Sequence, residues 1–187
     1  MGTYLLLRQD VANRCGGFYA AGEYDLAPLL DGSWRTRGFL ELGRSCVHPA
    51  YRTNGTIQLL WRGITRYLDV HGVDVMFGHA SFQGTCLEAH QVALNYLHSN
   101  HLAPAQLRVR ARPDQFVAMD AMPAETYSLR DALRKLPPLI KAYLRLGAFV
   151  GDGAVIDQAF GTTDVFILLS VDRIADRYLN RFDRRTH

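Results

Sequence analysis

The chain has 187 residues, of which 48% are hydrophobic and 21% are charged, and its net charge is +3. This length suits one domain with a sizeable core, and the composition excludes a disordered chain and a collagen-like repeat. No apolar run approaches the roughly 20 residues that a transmembrane helix needs. The weak positive charge, without a basic patch interleaved with aromatic residues, argues against a nucleic-acid-binding protein.

Three cysteines, Cys15, Cys46 and Cys86, occur without regular spacing, which favours a reducing compartment over a disulfide framework. We interpret Cys46 and Cys86 as packing residues. No metal site is expected, because a CxxC pair is absent and the histidines share no spacing with carboxylates or cysteines. No basic segment precedes the first apolar run, as it would in a secretory signal. We therefore expect a cytoplasmic protein, or one that also contacts the inner membrane peripherally.

Hydrophobic periodicity predicts strands and helices that alternate along the chain, which is typical of an α/β or α+β domain, here spanning residues 1–187. Apolar runs and alternating apolar residues predict strands at 3–8, 39–47, 73–81, 107–111 and 163–170. Apolar residues at helical spacing predict helices at 56–71, 87–98, 127–136, 139–146 and 171–182, and a short helical turn at 26–30.

Local signals predict where some elements end. Thr56 is a candidate N-cap of the helix at 56–71, and Gly72 is its expected end. The helix at 139–146 is expected to end in a glycine-rich turn formed by Gly147, Gly151 and Gly153. This helix and turn are candidates for the wall of an apolar ligand pocket, or alternatively a core helix with a flexible cap.

The last predicted helix carries a row of arginines, Arg173, Arg177 and Arg181, at i, i+4 spacing. Such a row fits an acidic partner protein or an anionic lipid surface. A solvated helix face is the alternative interpretation.

A strand, a short loop and a helix follow one another between Val47 and Thr56. The first backbone N–H groups of a helix and its dipole attract anions, and phosphate is the usual ligand. Arg52 lies in this loop, and Gly55 permits close approach of the backbone. The junction is therefore a candidate phosphate-binding turn, with an ordinary strand-to-helix loop as the alternative.

The segment VHPAYRTNGTI, residues 47–57, is similar to the acyl-donor signature of the Gcn5-related N-acyltransferase superfamily. Longer blocks, in matching order and spacing, resemble the ornithine N-acyltransferase family of acyl carrier protein-dependent enzymes; they lie at 41–52, 73–85, 137–157 and 162–169. The resemblance implies a mixed, mostly antiparallel sheet flanked by helices, which splits where two central strands diverge. It also implies a shortened domain, because family members carry further N-terminal elements before the strand that begins here at Thr3.

In that family, a 3-hydroxy fatty acyl group passes from acyl carrier protein to the α-amine of L-ornithine and gives lyso-ornithine lipid. The resemblance implies no permanently bound cofactor, because the donor is a phosphopantetheine thioester of acyl carrier protein, or acyl-CoA. Two alternatives stay open. One is another acyl-amino-acid or acyl-homoserine-lactone synthase with the same donor site, and the other is a non-catalytic module that binds the acyl donor.

The resemblance also implies a donor site. The phosphate of the phosphopantetheine arm would be held by Arg52, Asn54, Gly55 and Thr56. A backbone N–H near Cys46 or Val47 would stabilise the oxyanion that forms when an amine attacks the thioester.

The remaining candidates concern the acceptor and the proton transfers. Glu41 is the candidate base, with a structural pair between Glu41 and Arg44 as the alternative. Tyr96 is the candidate acid for the leaving thiolate, or else a packing residue of its helix. Arg44, His79 and Ser81 are candidate substrate-binding residues, and for His79 a hydrogen-bonded interior histidine is the alternative.

Overall fold

The computed structural model describes residues 2–51, 54–123 and 126–174. In these ranges the strands are β1 Gly2–Arg8, β2 Tyr24–Asp25, β3 Phe39–Val47, β4 Val75–Gln83, β5 Arg110–Ala111, β6 Phe149–Asp157 and β7 Thr162–Ser170. The α-helices are α1 Gln9–Ala12, α2 Ala27–Leu30, α3 Asn54–His71, α4 Leu87–His101, α5 Leu129–Lys135 and α6 Pro138–Arg145. No helix in the described part of the chain is long and apolar enough to cross a membrane.

The strands form one sheet of seven in the order β1-β3-β4-β7-β6-β5-β2. The pairs β3–β4 and β5–β6 are parallel, and the other neighbours are antiparallel. The expected α/β class with a mixed, mostly antiparallel sheet is therefore confirmed.

The sheet is buried on both faces over much of its area. On one face, Leu40 and Leu42 of β3 pack in a cluster with side chains of α3, α4 and α6. On the other face, Phe39 packs beneath the N-terminal segment that contains α1 and α2. Burial on both faces explains why β7 is apolar almost throughout, because alternate side chains of that strand enter opposite layers.

Helix α3 begins at Asn54, two residues before the predicted start. Thr56 consequently lies inside the first turn and is not the N-cap, so that prediction is wrong. The predicted end is confirmed, because Gly72 follows the last helical residue with a φ of 59°. Trp61, Ile64 and Leu68 form the buried stripe at the expected spacing of three and four residues.

The predicted glycine-rich turn after α6 is also wrong beyond Gly147. Gly151 and Gly153 lie within β6, whose pairing with β7 shifts register between Val150 and Ala154. Gly153 has a φ of 87°, and a Cβ there would lie 2.5 Å from the ring of Phe116. The glycines therefore permit a bulge in a strand, and this requires the same backbone freedom as a turn.

The predicted helix at 171–182 is described only at its start. Val171–Arg173 form a short 3₁₀ turn, and Arg173 lies over the ring of Phe149 at 4.3 Å. Arg177 and Arg181 lie outside the described residues, so the arginine row stays a prediction.

Gly78 marks a close approach between the two parallel central strands. A Cβ at Gly78 would lie 2.2 Å from the carbonyl oxygen of Leu42 on β3. We expect Gly78→Ala to lower the free energy of unfolding by about 1–3 kcal/mol, because the strands must separate to admit the methyl group. Urea denaturation measures this change.

Gly63 offers a matched control, because it is exposed in the middle of α3 and a methyl group added there would meet no atom within 4 Å. Gly63→Ala should raise stability by about 0.5–1 kcal/mol through helix propensity. Equal stability of Gly78→Ala and the wild type would contradict the close approach.

Candidate active site

The two parallel central strands pair over only part of their length. Residues Phe39–Leu42 of β3 pair with Val75–Gly78 of β4, although β3 continues to Val47 and β4 to Gln83. Beyond these pairs, β3 stays bonded to β1 and β4 stays bonded to β7. The sheet therefore divides at the carboxyl ends of β3 and β4, and we call this opening the split.

A bulge in β3 lies at the start of the split. Arg44 has a φ of 47°, and the pairing of β3 with β1 shifts register between Thr3 and Leu5. The extra residue bends the strand and ends the simple alternation of its side chains. Arg44, Ser45 and Cys46 are all exposed as a result. The interpretation of Cys46 as a packing residue is wrong for this reason, and Cys86, which precedes α4, is exposed as well.

A cavity lies where the strands part, and most of its lining residues belong to the core layer that packs α3, α4 and α6 on the sheet. Gly78 lines the cavity and presents no side chain to it. The lining residues are Leu42, Met76, Phe77, Gly78, His79, Tyr143, Ile167 and Leu169. Its wall is mainly apolar, which suits the aliphatic part of a ligand.

The N-terminus of α3 lies at the same edge of the sheet as the split, because α3 connects the carboxyl end of β3 to β4. A short 3₁₀ turn, Pro49–Tyr51, precedes the helix. Asn54, Gly55 and Thr56 form its first turn, where backbone N–H groups and the helix dipole favour an anion. Arg52, the predicted phosphate ligand, lies outside the described residues.

Glu41 is 5% exposed and pairs with Phe77, one position before the last β3–β4 pair. One carboxylate oxygen accepts the backbone N–H of Tyr19 at 2.8 Å, and the other accepts that of Ala20 at 2.7 Å. Burial raises the pKa of Glu41, and these two hydrogen bonds oppose the shift. Glu41 therefore binds backbone N–H groups and not Arg44, which was the alternative partner. The Arg44 guanidinium lies 5.7 Å from the ring centre of Phe160.

Tyr96 and Ser81 lie further from the point of divergence. The Tyr96 hydroxyl is 3.3 Å from Nε2 of His101 on α4, and the ring is partly buried against the core. Ser81 is exposed on β4 and pairs with Asp164 of β7. Neither Tyr96 nor Ser81 is among the residues that line the cavity.

His79 is the first residue of β4 beyond the paired region, and its surroundings are acidic. Its Nε2 is 3.5 Å from Oε2 of Glu23, and the side chains are only 13% and 17% exposed respectively. The charges of Asp164 and Asp157 act on both His79 and Glu23. We call Glu23, Asp157 and Asp164 the acidic cluster, with His79 at its centre.

Aromatic contacts hold the segment that carries Glu23 against the sheet. Tyr24 packs on His79 and Phe166, with ring centres 5.4 and 5.2 Å apart, and its hydroxyl donates to the carbonyl oxygens of Gly153 and Asp164 at 3.3 Å. Phe18 packs edge-on against Phe77 at 4.9 Å. The segment around Glu23 is therefore held against the sheet by Phe18, which precedes it in the sequence, and by Tyr24, which follows it.

Sequence reasoning missed the acidic cluster. One signal was available, because Asp164 is the only charged residue in the apolar strand β7. Glu23 gave no such signal, since it lies in a turn-rich segment where a carboxylate is ordinary. Among the described residues, no group of three His, Cys, Asp or Glu side chains is arranged to hold a metal ion.

The buried position of His79 predicts a pH dependence of stability. Burial lowers the pKa of His79 below its ordinary value of 6.5, against the opposing effects of Asp164 and Asp157. In the unfolded chain His79 has its ordinary pKa, so it binds a proton more readily there than in the folded chain. The free energy of unfolding that is present above pH 6.5 is therefore lost as the pH falls through the folded-state pKa of His79. Relative to His79→Gln, the wild type should therefore lose free energy of unfolding below pH 6.5 in urea titrations. Parallel curves for the two proteins would contradict this expectation.

Comparison with known proteins gives concordant results. Residues 1–62 match the family model of the acetyltransferase (GNAT) domain. The chain is 53% identical over 182 residues to an L-ornithine N(alpha)-acyltransferase of Rhizobium meliloti (strain 1021), covering 97% of this chain and 61% of that protein. It is 50% identical over 182 residues to the protein of the same name from Brucella abortus (strain 2308), covering 97% of this chain and 64% of that protein. No solved structure matches the chain.

A third relative with the same printed name, from Rhodobacter capsulatus, is 46% identical over 183 residues. That match covers 98% of this chain and 69% of the relative. The chain thus spans a little under two thirds of the Rhizobium and Brucella proteins and slightly more than two thirds of the Rhodobacter protein. Together with the split mixed sheet, these matches show that the chain belongs to the L-ornithine Nα-acyltransferase family of the GNAT superfamily.

Proposed function

We propose that this protein is an N-acyltransferase that moves a 3-hydroxy fatty acyl group from acyl carrier protein to the α-amine of L-ornithine and forms lyso-ornithine lipid. The observation that carries the proposal is the split between β3 and β4, with a mainly apolar cavity beside it. The names of these relatives support ornithine as the acceptor. Acyl carrier protein and the 3-hydroxyacyl group follow from the family resemblance.

The donor would lie along the exposed edge of β3. Past Leu42, this edge no longer pairs with β4, so an extended pantetheine arm fits beside it as a further strand would. Cys46 and Val47 would flank the arm, and the first turn of α3, with Asn54, Gly55 and Thr56, would hold its phosphate together with Arg52. The arm would bring the thioester toward Gly78, where the sheet is open.

The reaction needs one new bond and two proton transfers. The neutral α-amine attacks the thioester carbonyl, the C–N bond forms, and the C–S bond breaks as the oxyanion collapses. Glu41 would take the proton that the amine loses, directly or through a water, since each of its oxygens keeps a lone pair beyond its backbone hydrogen bond. Tyr96 would return a proton to the leaving thiolate. Most of the rate enhancement would come from positioning, because a thioester is already activated.

The acceptor would approach from the face that carries His79, opposite the face that carries Tyr143. On that face, the exposed guanidinium of Arg44 would bind the carboxylate of the amino acid. His79 and Ser81 lie along the same strand and would line the path of the acceptor.

The purified chain should transfer the acyl group when it is supplied with 3-hydroxyacyl carrier protein and a mixture of amino acids. Mass spectrometry should detect acyl-ornithine as the main product. If another amino acid is acylated instead, that amino acid is the acceptor, and the assignment of ornithine is wrong. Binding of the carrier protein without any product would indicate a donor-binding module and overturn the proposal for this chain.

Glu41→Gln tests the base. We expect kcat to fall by about 100-fold or more, while the affinity for the donor stays unchanged. The amide also places an NH₂ group against one of two backbone N–H donors, so a loss of about 1–3 kcal/mol in stability should accompany the change. Glu88→Gln, at an exposed glutamate of α4, is the matched control and should keep wild-type kcat. A Glu41→Gln protein with wild-type kcat and a raised KM for the acceptor would show that Glu41 only holds the segment at Tyr19.

A further inference from the structure

Three side chains beside the split carry polar atoms that lack hydrogen-bond partners. These atoms are Oε2 of Glu23, Nε2 of His79 and Oδ1 of Asp164, and each of them is buried. Asp164 is only 7% exposed, and it acts on Glu23 and His79 through charge without a hydrogen bond. Three buried polar atoms without hydrogen bonds lower the free energy of unfolding by several kcal/mol, unless a ligand binds to them. Native proteins rarely leave such atoms unpaired.

The charge of the acidic cluster calls for a cation. In the described part of the chain, no arginine or lysine lies within salt-bridge distance of Glu23, Asp157 or Asp164. Burial lowers the pKa of His79 and favours its neutral imidazole, while burial and the nearby Asp164 and Asp157 raise the pKa of Glu23. A cation bound among these groups would offset the cost of the negative charge on Glu23 and Asp164. A buried water could accept and donate hydrogen bonds here, but it would leave the mutual repulsion of the carboxylates in place.

An ammonium group matches this arrangement better than other cations. It has three N–H donors and no acceptor, and the site offers carboxylate oxygens of Glu23 and Asp164. The neutral imidazole of His79 adds an acceptor in the tautomer that carries its proton on Nδ1. A metal ion fits less well, since the described residues contain no group of three metal-ligating side chains with suitable geometry.

We propose that Glu23, His79 and Asp164 bind the side-chain ammonium of the acceptor amino acid, an inference that rests on the proposed function. His79 lies directly past Gly78, and Asp164 is paired with Ser81, two residues further along β4. Two residues of strand span roughly 6.5 Å. The two nitrogens of an extended ornithine are about 6 Å apart by standard bond lengths. An α-amine at the level of His79 would therefore place the distal ammonium at the level of Asp164.

The test compares L-ornithine with L-norvaline, which has the same carbon skeleton without the side-chain amine. In the wild type, kcat/KM for ornithine should exceed that for norvaline, and Asp164→Asn or Glu23→Gln should reduce this preference by about 10- to 100-fold. The reduction should come from a lower kcat/KM for ornithine, without a comparable fall in kcat/KM for norvaline. An ornithine preference that both variants retain would overturn the inference while acyl transfer itself stood.

Thermal melts give a readout that does not depend on turnover. Ornithine, and not norvaline, should raise the Tm of the wild type, and this shift should vanish in Asp164→Asn. Without ligand, Asp164→Asn should melt above the wild type, because it removes a buried, unpaired charge. Asp152→Asn is the matched control, since Asp152 on neighbouring β6 is paired with Arg110 at 3.3 Å, and this variant should lose stability and keep the ornithine shift.

These readouts separate the two proposals. An ornithine-specific Tm shift that depends on Asp164, in a chain that transfers no acyl group, would support the ammonium site and overturn the proposed function. Identical Tm shifts with ornithine and norvaline would overturn the ammonium site.

Discussion

Two parallel strands that pair for four residues and then separate impose a strict requirement on their surroundings. Each strand must find hydrogen bonds on its other side, and here β1 supplies them for β3 and β7 supplies them for β4. The bulge at Arg44 bends β3 away, and Gly78 lets the strands approach closely just before they part. The opening is therefore built into the backbone, and it brings the N-terminus of α3, the apolar cavity and His79 to one edge of the sheet.

Glu41 links this opening to the layer that covers it. Its carboxylate binds two consecutive backbone N–H groups at Tyr19 and Ala20, and the segment that follows carries Glu23 and Tyr24 onto the sheet. Glu41, the proposed base for the amine of ornithine, thus also holds in place the segment whose Glu23 is proposed to bind ornithine. Any change at Glu41 acts on chemistry and on geometry together, so kinetic and stability measurements are needed side by side.

Much of the fold follows from local pattern. The alternation in residues 39–47 and the helical spacing of Ile64 and Leu68 predict β3 and α3 well, because each depends on burial along one stretch of chain. The glycines of β6 were misread as a turn, since a bulge and a turn demand the same backbone freedom. Exposure of Cys46 was missed because one left-handed residue, Arg44, ends the alternation. The acidic cluster could not be assembled from pattern at all, because Glu23 and Asp164 meet only through the sheet order.

The account depends most on the claim that the split holds the pantetheine arm of the donor. A crystal structure with a non-reactive thioether analogue of 3-hydroxyacyl-phosphopantetheine tests this directly. We predict the arm between β3 and β4, its phosphate at the first turn of α3 and its carbonyl carbon near Gly78. An analogue bound elsewhere on the protein, with β3 and β4 separated but unoccupied, would contradict the account.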